Sequence, residues 1–335
     1  MIGLMHDRFA RALITRLALL TSVIVLSGAS PAAAAKNPDE TISEITDNRI
    51  QESSGLALSV KHDDLVYTMN DEGGSGAKVY AVQVSTGEVV GATDVSALPL
   101  EDPESMAVDA DGTLWLGDLG DNDHQRDDAA IYAFPEPGPG EHRVSGTDRY
   151  PIALPGGPQD VEGLMVHPQT RRVYIVSKNE DGNGQIFELP DLTAGGTVQA
   201  RAVGEAPTGV TDASFTHSGQ WAVLRTEEGL WLYDPTSWEA VGHVETPKLE
   251  QGESVTVEQG DQTVLLGSEG RNSPLVRVAL PAASGPVSID SAGKDGDDDD
   301  EGSTVKNSLE LAIPLGLVAA ALLVGGILAQ RRMKI

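Results

Sequence analysis

Cysteine is absent from the 335 residues. Its absence excludes thiol catalysis, thiolate metal sites and a disulfide framework, so a folded region must be held by its own core. Aromatic residues make up only 4% of the chain, which leaves that core to aliphatic side chains. Basic residues are outnumbered, with 23 Lys and Arg against 51 Asp and Glu and a formal net charge of −28. A surface of that sign repels phosphate backbones and excludes nucleic acid as a partner. No serine lies in a G-x-S-x-G elbow and no glycine-rich loop is shaped for phosphate. His62, His124, His142, His167, His217 and His243 are scattered. Only His167 and His217 share a repeat position, near a turn, and no zinc site is expected of them.

Long apolar runs occur only at the two ends. Arg8, Arg11 and Arg16 precede a short apolar stretch, Leu17 to Leu26, and Ala33-x-Ala35 follows it. That order predicts a signal peptide over 1–35, cleaved after Ala35. Leu311 to Ala329 is uncharged and long enough for a ~30 Å hydrocarbon core. Acidic residues precede it, and Arg331, Arg332 and Lys334 follow it. The pattern predicts a transmembrane helix over 308–330 with a cytoplasmic tail at 331–335. Ser, Gly and Asp dominate 282–307, which reads as an acidic, disordered stalk. The expected location is therefore the bacterial plasma membrane, single-pass, with residues 36–281 outside the cell.

Those residues repeat a unit. An acidic residue opens a short apolar strand, a tight turn follows, and a second apolar strand ends in polar residues. The five openings are Glu52, Glu104, Glu162, Asp212 and Glu253, spaced 52, 58, 50 and 41 apart. A third strand follows each pair, as at Val79 to Val82 or Leu230 to Tyr233, and usually a fourth, as at Val89 to Val95 or Val198 to Val203. Four short strands per unit of this length is the pattern of an all-β propeller. Five blades are expected, with a degenerate sixth as the alternative. Ile42 to Ile50 is expected to supply the outer strand that locks the ring.

Four segments carry a resemblance: Glu52-Ser-Ser-Gly-Leu-Ala, Asp102-Pro-Glu-Ser-Met-Ala-Val, Gly117-Asp-Leu-Gly-Asp-Asn122 and Asp160-Val-Glu-Gly-Leu-Met-Val. They are similar to a bacterial family of secreted propellers described as WD40-like or phytase-like (esterase-like), over roughly Glu52 to Leu280. The phytase-like likeness implies a Ca²⁺-dependent phosphatase, although this chain has few basic residues to hold a polyanion. A looser similarity to propeller lactonases implies a metal held over the central channel.

In a blade, the start of the first strand and the end of the second emerge on one face. Glu52, Glu104, Glu162, Asp212 and Glu253 are therefore expected around one mouth of the channel. Asn70, Asp71, Asp118, Lys178, Asn179, Arg225 and Glu269 are expected just outside them. Converging carboxylates must be answered by backbone and hydroxyl caps, by Lys178 and Arg225, or by a hard cation such as Ca²⁺. Asp118-Leu-Gly-Asp121-Asn-Asp123 offers a second acidic loop, without EF-hand spacing. Two functions follow. One is a membrane-anchored surface module that binds an ion, a small molecule or an extracellular protein. The other is a Ca²⁺-dependent phosphoesterase or esterase. No catalytic residue is assigned by the sequence.

Overall fold

The computed structural model describes residues 39–190 and 192–281. The expected signal peptide, stalk, transmembrane helix and tail lie outside them. No helix of the described residues is long and apolar enough to cross a membrane.

The described chain is all-β and forms a five-bladed propeller. The first blade takes Ser53–Leu58, Leu65–Asn70, Lys78–Gln83 and Val89–Asp94 from inside outward. The second takes Pro103–Val108, Thr113–Asp118, Ala130–Pro135 and Asp148–Ala153. The third takes Val161–Val166, Val173–Ser177, Gly184–Leu189 and Arg201–Ala206. The fourth takes Val210–Phe215, Ala222–Thr226, Gly229–Asp234 and Glu239–Glu245. The fifth takes Ser254–Val257, Thr263–Gly267 and Ser273–Ala279, and the N-terminal strand Glu40–Ile45 completes it. Innermost strands of consecutive blades touch around the ring, and the fifth touches the first.

Period-two alternation explains the circle. In the second strands, Tyr67 and Met69 face the second blade while Val66 faces the fifth. Val173 and Ile175 pack toward the second blade, and Tyr174 and Val176 toward the fourth. Both faces of each blade are thus buried, which is why these strands read as unbroken apolar runs. Five apolar clusters result, one at each junction between blades.

Three details differ from the sequence reading. The closing strand is Glu40–Ile45, starting before Ile42 and ending before Ile50. Val198–Gln199 does not begin the fourth strand of the third blade; it pairs in parallel with the outer edge of the second. Gly140–Arg143 likewise pairs in parallel with the outer edge of the first blade. Two exposed edges are thereby covered by borrowed segments.

Candidate functional site

In the first four blades a register irregularity near the head of the innermost strand helps set what the channel mouth displays. In the second, third and fourth blades an extra residue stands unpaired there: Glu104, Glu162 and Thr211. In the fifth, Ser254 pairs with Gly267 as Ser105 does with Gly117, so Glu253 holds the same place. In the first, counting from the equivalent pairs Ala57 with Tyr67 and Ala107 with Trp115 puts Ser54 there. Gly55 makes this irregularity feasible. Its φ is +64°, and a Cβ would lie 3.0 Å from the amide nitrogen of Met106.

The equivalent set is therefore Ser54, Glu104, Glu162, Thr211 and Glu253. The sequence alignment placed Glu52 and Asp212 in it; the structure places Glu52 two residues earlier and Asp212 one residue later. A one-residue shift turns a side chain to the other face. Asp212 is accordingly fully buried, accepting hydrogen bonds from the amides of Ala213 (2.7 Å) and Val255 (2.8 Å). It is a link to the fifth blade. Thr211 makes a second link there, donating to Gly252 O at 3.0 Å. Ser54 Oγ lies 2.8 Å from Glu104 O and 2.7 Å from Glu104 Oε2, joining the first blade to the second.

The strand-end residues divide in the same way. Asn70 Oδ1 accepts from the amides of Gln51 and Glu52, and Asp118 Oδ1 from those of Glu101 and Asp102. Both hold the chain as it enters the innermost strand. Arg225, fully buried, donates to the carbonyls of Ser254 and Gly267. Burial pushes its guanidinium down to about 10 against the opposing pull of Glu253 and Asp212. Asn179 is exposed and ties its own loop through Asp181 N and Asn183 O.

What remains is a cavity of about 220 Å³ at the mouth. Six carboxylates line it, those of Glu52, Asp71, Glu104, Glu162, Glu253 and Glu269, with one ammonium, that of Lys178. Ser53, Ser54, Asn122 and Gln251 complete the wall and carry no charge that a sequence search would select. Lys178 Nζ lies 3.4 Å from Glu162 Oε1 and 3.5 Å from Glu180 Oε1. Burial opposes its charge, but Glu162, Glu253, Glu180 and Asp160 outweigh it and hold the ammonium above the ordinary lysine value. Burial raises Glu104 to about 8, with Asp102, Asp71 and Glu253 adding repulsion. Burial and repulsion from Glu104 push Glu162 well above the carboxylate range. Burial, then Glu253, lifts Glu269 to about 7, and burial, then Glu52, lifts Asp71 to about 6. Burial raises Glu253 as well, against Lys178 and Arg225. The mouth is short of positive charge.

Oxygen donors of this kind suit Ca²⁺ chemically. Yet among the described residues no three acidic or imidazole groups stand together so as to hold a metal ion. The second acidic loop is already answered from within. Arg126 pairs with Asp118 Oδ2 at 3.0 Å and donates to Gly120 O, while Asp121 caps the amides of Gln125 and Arg126.

The opposite end of the channel differs. A cavity of about 230 Å³ there is walled by Leu56, Met106, Met165, Phe215 and Val257, with Val60 among its lining residues.

No protein-family model matches the chain, and no curated protein does. Solved structures do. A gluconolactonase from Xanthomonas campestris is 16% identical, with a TM-score of 0.46, over 74% of this chain and 96% of that one. Myxococcus xanthus glutaminyl cyclase is 11% identical, with a TM-score of 0.46, over 72% and 97%. A luciferin-regenerating enzyme is 11% identical, with a TM-score of 0.44, over 71% and 80%.

Proposed function

We propose that the protein is an extracellular binding module, tethered to the bacterial plasma membrane by its C-terminal apolar segment, that takes a cationic ligand at the acidic mouth. One observation carries the reading: six carboxylates surround a cavity of about 220 Å³ that holds a single ammonium. A positive group entering there relieves repulsion that burial has already made costly. An organic ammonium or guanidinium suits the cavity better than Ca²⁺, because Lys178 beside Glu162 already shows how an ammonium is received. A basic side chain of an extracellular protein is the same chemistry on a larger partner.

Titration calorimetry of the full chain with spermidine, arginine amide and CaCl₂ tests this. Saturable binding of either amine, weakened by Glu253→Gln and by lowering the pH from 8 to 5, is expected. Saturation by Ca²⁺ alone favours the metal reading, and no saturable heat from any of the three sinks the proposal.

A hydrolase is the second reading. Glu104, held near a pKa of 8, places a proton donor in the mouth. Resemblance to phytase-like and esterase-like propellers points the same way. Turnover of generic ester or phosphoester substrates, lost with EDTA and in Glu104→Gln, would favour it over binding alone.

A further inference from the structure

A groove of about 620 Å³ lies between the third and fourth blades, on the face opposite the acids. Its position follows from the turns that form it, after Val161–Val166 and Val210–Phe215, at the far ends of the innermost strands. His167, Arg172, Tyr174, Gln220, Trp221 and Asp234 line it.

The chain has few aromatic residues, and this junction gathers several of them. Tyr174 packs against Trp238 at 4.8 Å and against Phe215 at 5.7 Å, and His167 tilts over Phe215 at 4.9 Å. Tyr174 and His167 form the floor of the groove, and Phe215 and Trp238 back them from beneath. Trp221 is half-buried in the groove wall. Among the described residues its indole has no ring contact and its N–H no hydrogen-bond partner.

The polar groups are mixed. His167 Nδ1 accepts from the amides of Gln169 and Thr170, both at 3.3 Å, so the neutral ring carries its proton on Nε2 as a donor. Burial lowers the imidazole pKa and favours that neutral form. Arg172 lies 2.6 Å from Glu188, a carboxylate it shares with Arg201, and Asp234 brings the charge of the four groups to zero. Asp234 Oδ1 holds Thr236 N at 2.8 Å, and its other oxygen is an acceptor in reserve. The Gln220 side chain is exposed and unbonded among the described residues. An apolar ring face beside donors and acceptors of little net charge matches one ligand class: a molecule with an apolar C–H face and a rim of hydroxyls.

We infer that this groove binds a neutral saccharide, with one sugar ring stacked on Trp221 and its hydroxyls held by Gln220 and Asp234. The site is independent of the acidic mouth.

The test is intrinsic fluorescence and calorimetric titration of the full chain with linear hexasaccharides of glucose and of N-acetylglucosamine. Saturable binding with a change in tryptophan emission is expected. Trp221→Ala should weaken it at least about tenfold, about 1.4 kcal/mol. Trp221→Tyr should retain most of it. Gln220→Ala, an exposed change that leaves the floor intact, should weaken it less than Trp221→Ala does. Glu253→Gln and added spermidine should leave it unchanged, which separates this site from the mouth. Failure of every hexasaccharide to bind the wild-type chain, or equal affinity in Trp221→Ala, overturns the inference.

Discussion

The two ends of the central channel are built from the same five strands and share almost no chemistry. At the end where the strands begin, Glu104, Glu162 and Glu253 line one opening. At the end where they finish, Leu56, Met106, Met165 and Phe215 close over an apolar space of similar volume. Val60, at that end, is the most exposed large apolar side chain among the described residues, at 37%. The contrast teaches where each kind of stability resides. The apolar end contributes mainly packing, whereas the acidic end stores repulsion that depends on pH.

Substitutions should expose this difference, the largest effect at the link beneath the acids. Arg225→Met leaves two carbonyls unanswered and removes the buried positive charge beside Glu253 and Asp212. A loss of about 3–5 kcal/mol in denaturant unfolding is expected. A near-neutral result would mean that the buried cation does not join the fourth and fifth blades.

Leu56→Ala, at the apolar end, should cost about 2–4 kcal/mol through the cavity it opens. The cost should be the same at pH 5.5 and pH 9. A pH-dependent cost would blur the distinction between the two ends.

Glu104→Gln should behave in the opposite way. Its carboxyl has a pKa of about 8 in the folded chain, above the ordinary glutamate value. A raised carboxyl favours folding below the unfolded pKa and loses that contribution as pH rises through the folded one. Wild type should therefore melt at a lower temperature at pH 9 than at pH 5.5. The amide variant should match wild type at pH 5.5 and exceed it by about 1–2 kcal/mol at pH 9. Parallel melting curves at both pH values would remove the stored repulsion from the account. The smallest effect is expected from Ser54→Ala, about 1 kcal/mol for the bond to Glu104 between the first two blades.

The ring was legible because its strands are buried on both faces and spaced by turns, a pattern visible in the order of the residues. The blade number followed from the five copies. The site was less legible, for a reason visible in two residues. Glu52 and Asp212 look like members of the acid series, but an inserted residue at the head of a strand is silent in the sequence and moves the frame by one or two places. Asp212 thus became a buried cap with Thr211 in its register position, whereas Glu52, two places before Ser54, still lines the mouth cavity beside it. Asn70 and Asp118 were misleading in a related way. A strand-end carboxylate or amide that caps two backbone amides cannot be told from one that awaits a ligand until the loop it holds is placed. Arg126 carried a signal that was available, a lone cation within a run of aspartates, and it explains why the second acidic loop needs no outside ion.

The N-terminal strand Glu40–Ile45 sits antiparallel to Ser273–Ala279, more than two hundred residues later in the sequence. A ring sewn shut by its own first stitch cannot be finished until its last thread is in hand. This strand is synthesised before every blade and waits, unmatched, until the last of them is made. Contacts of such long sequence separation form late and slowly. Once made, they bind the two ends of the domain into one seam, so that a nick in the 46–52 linker would free the final blade's outer strand and a circularly permuted chain would have to find another knot.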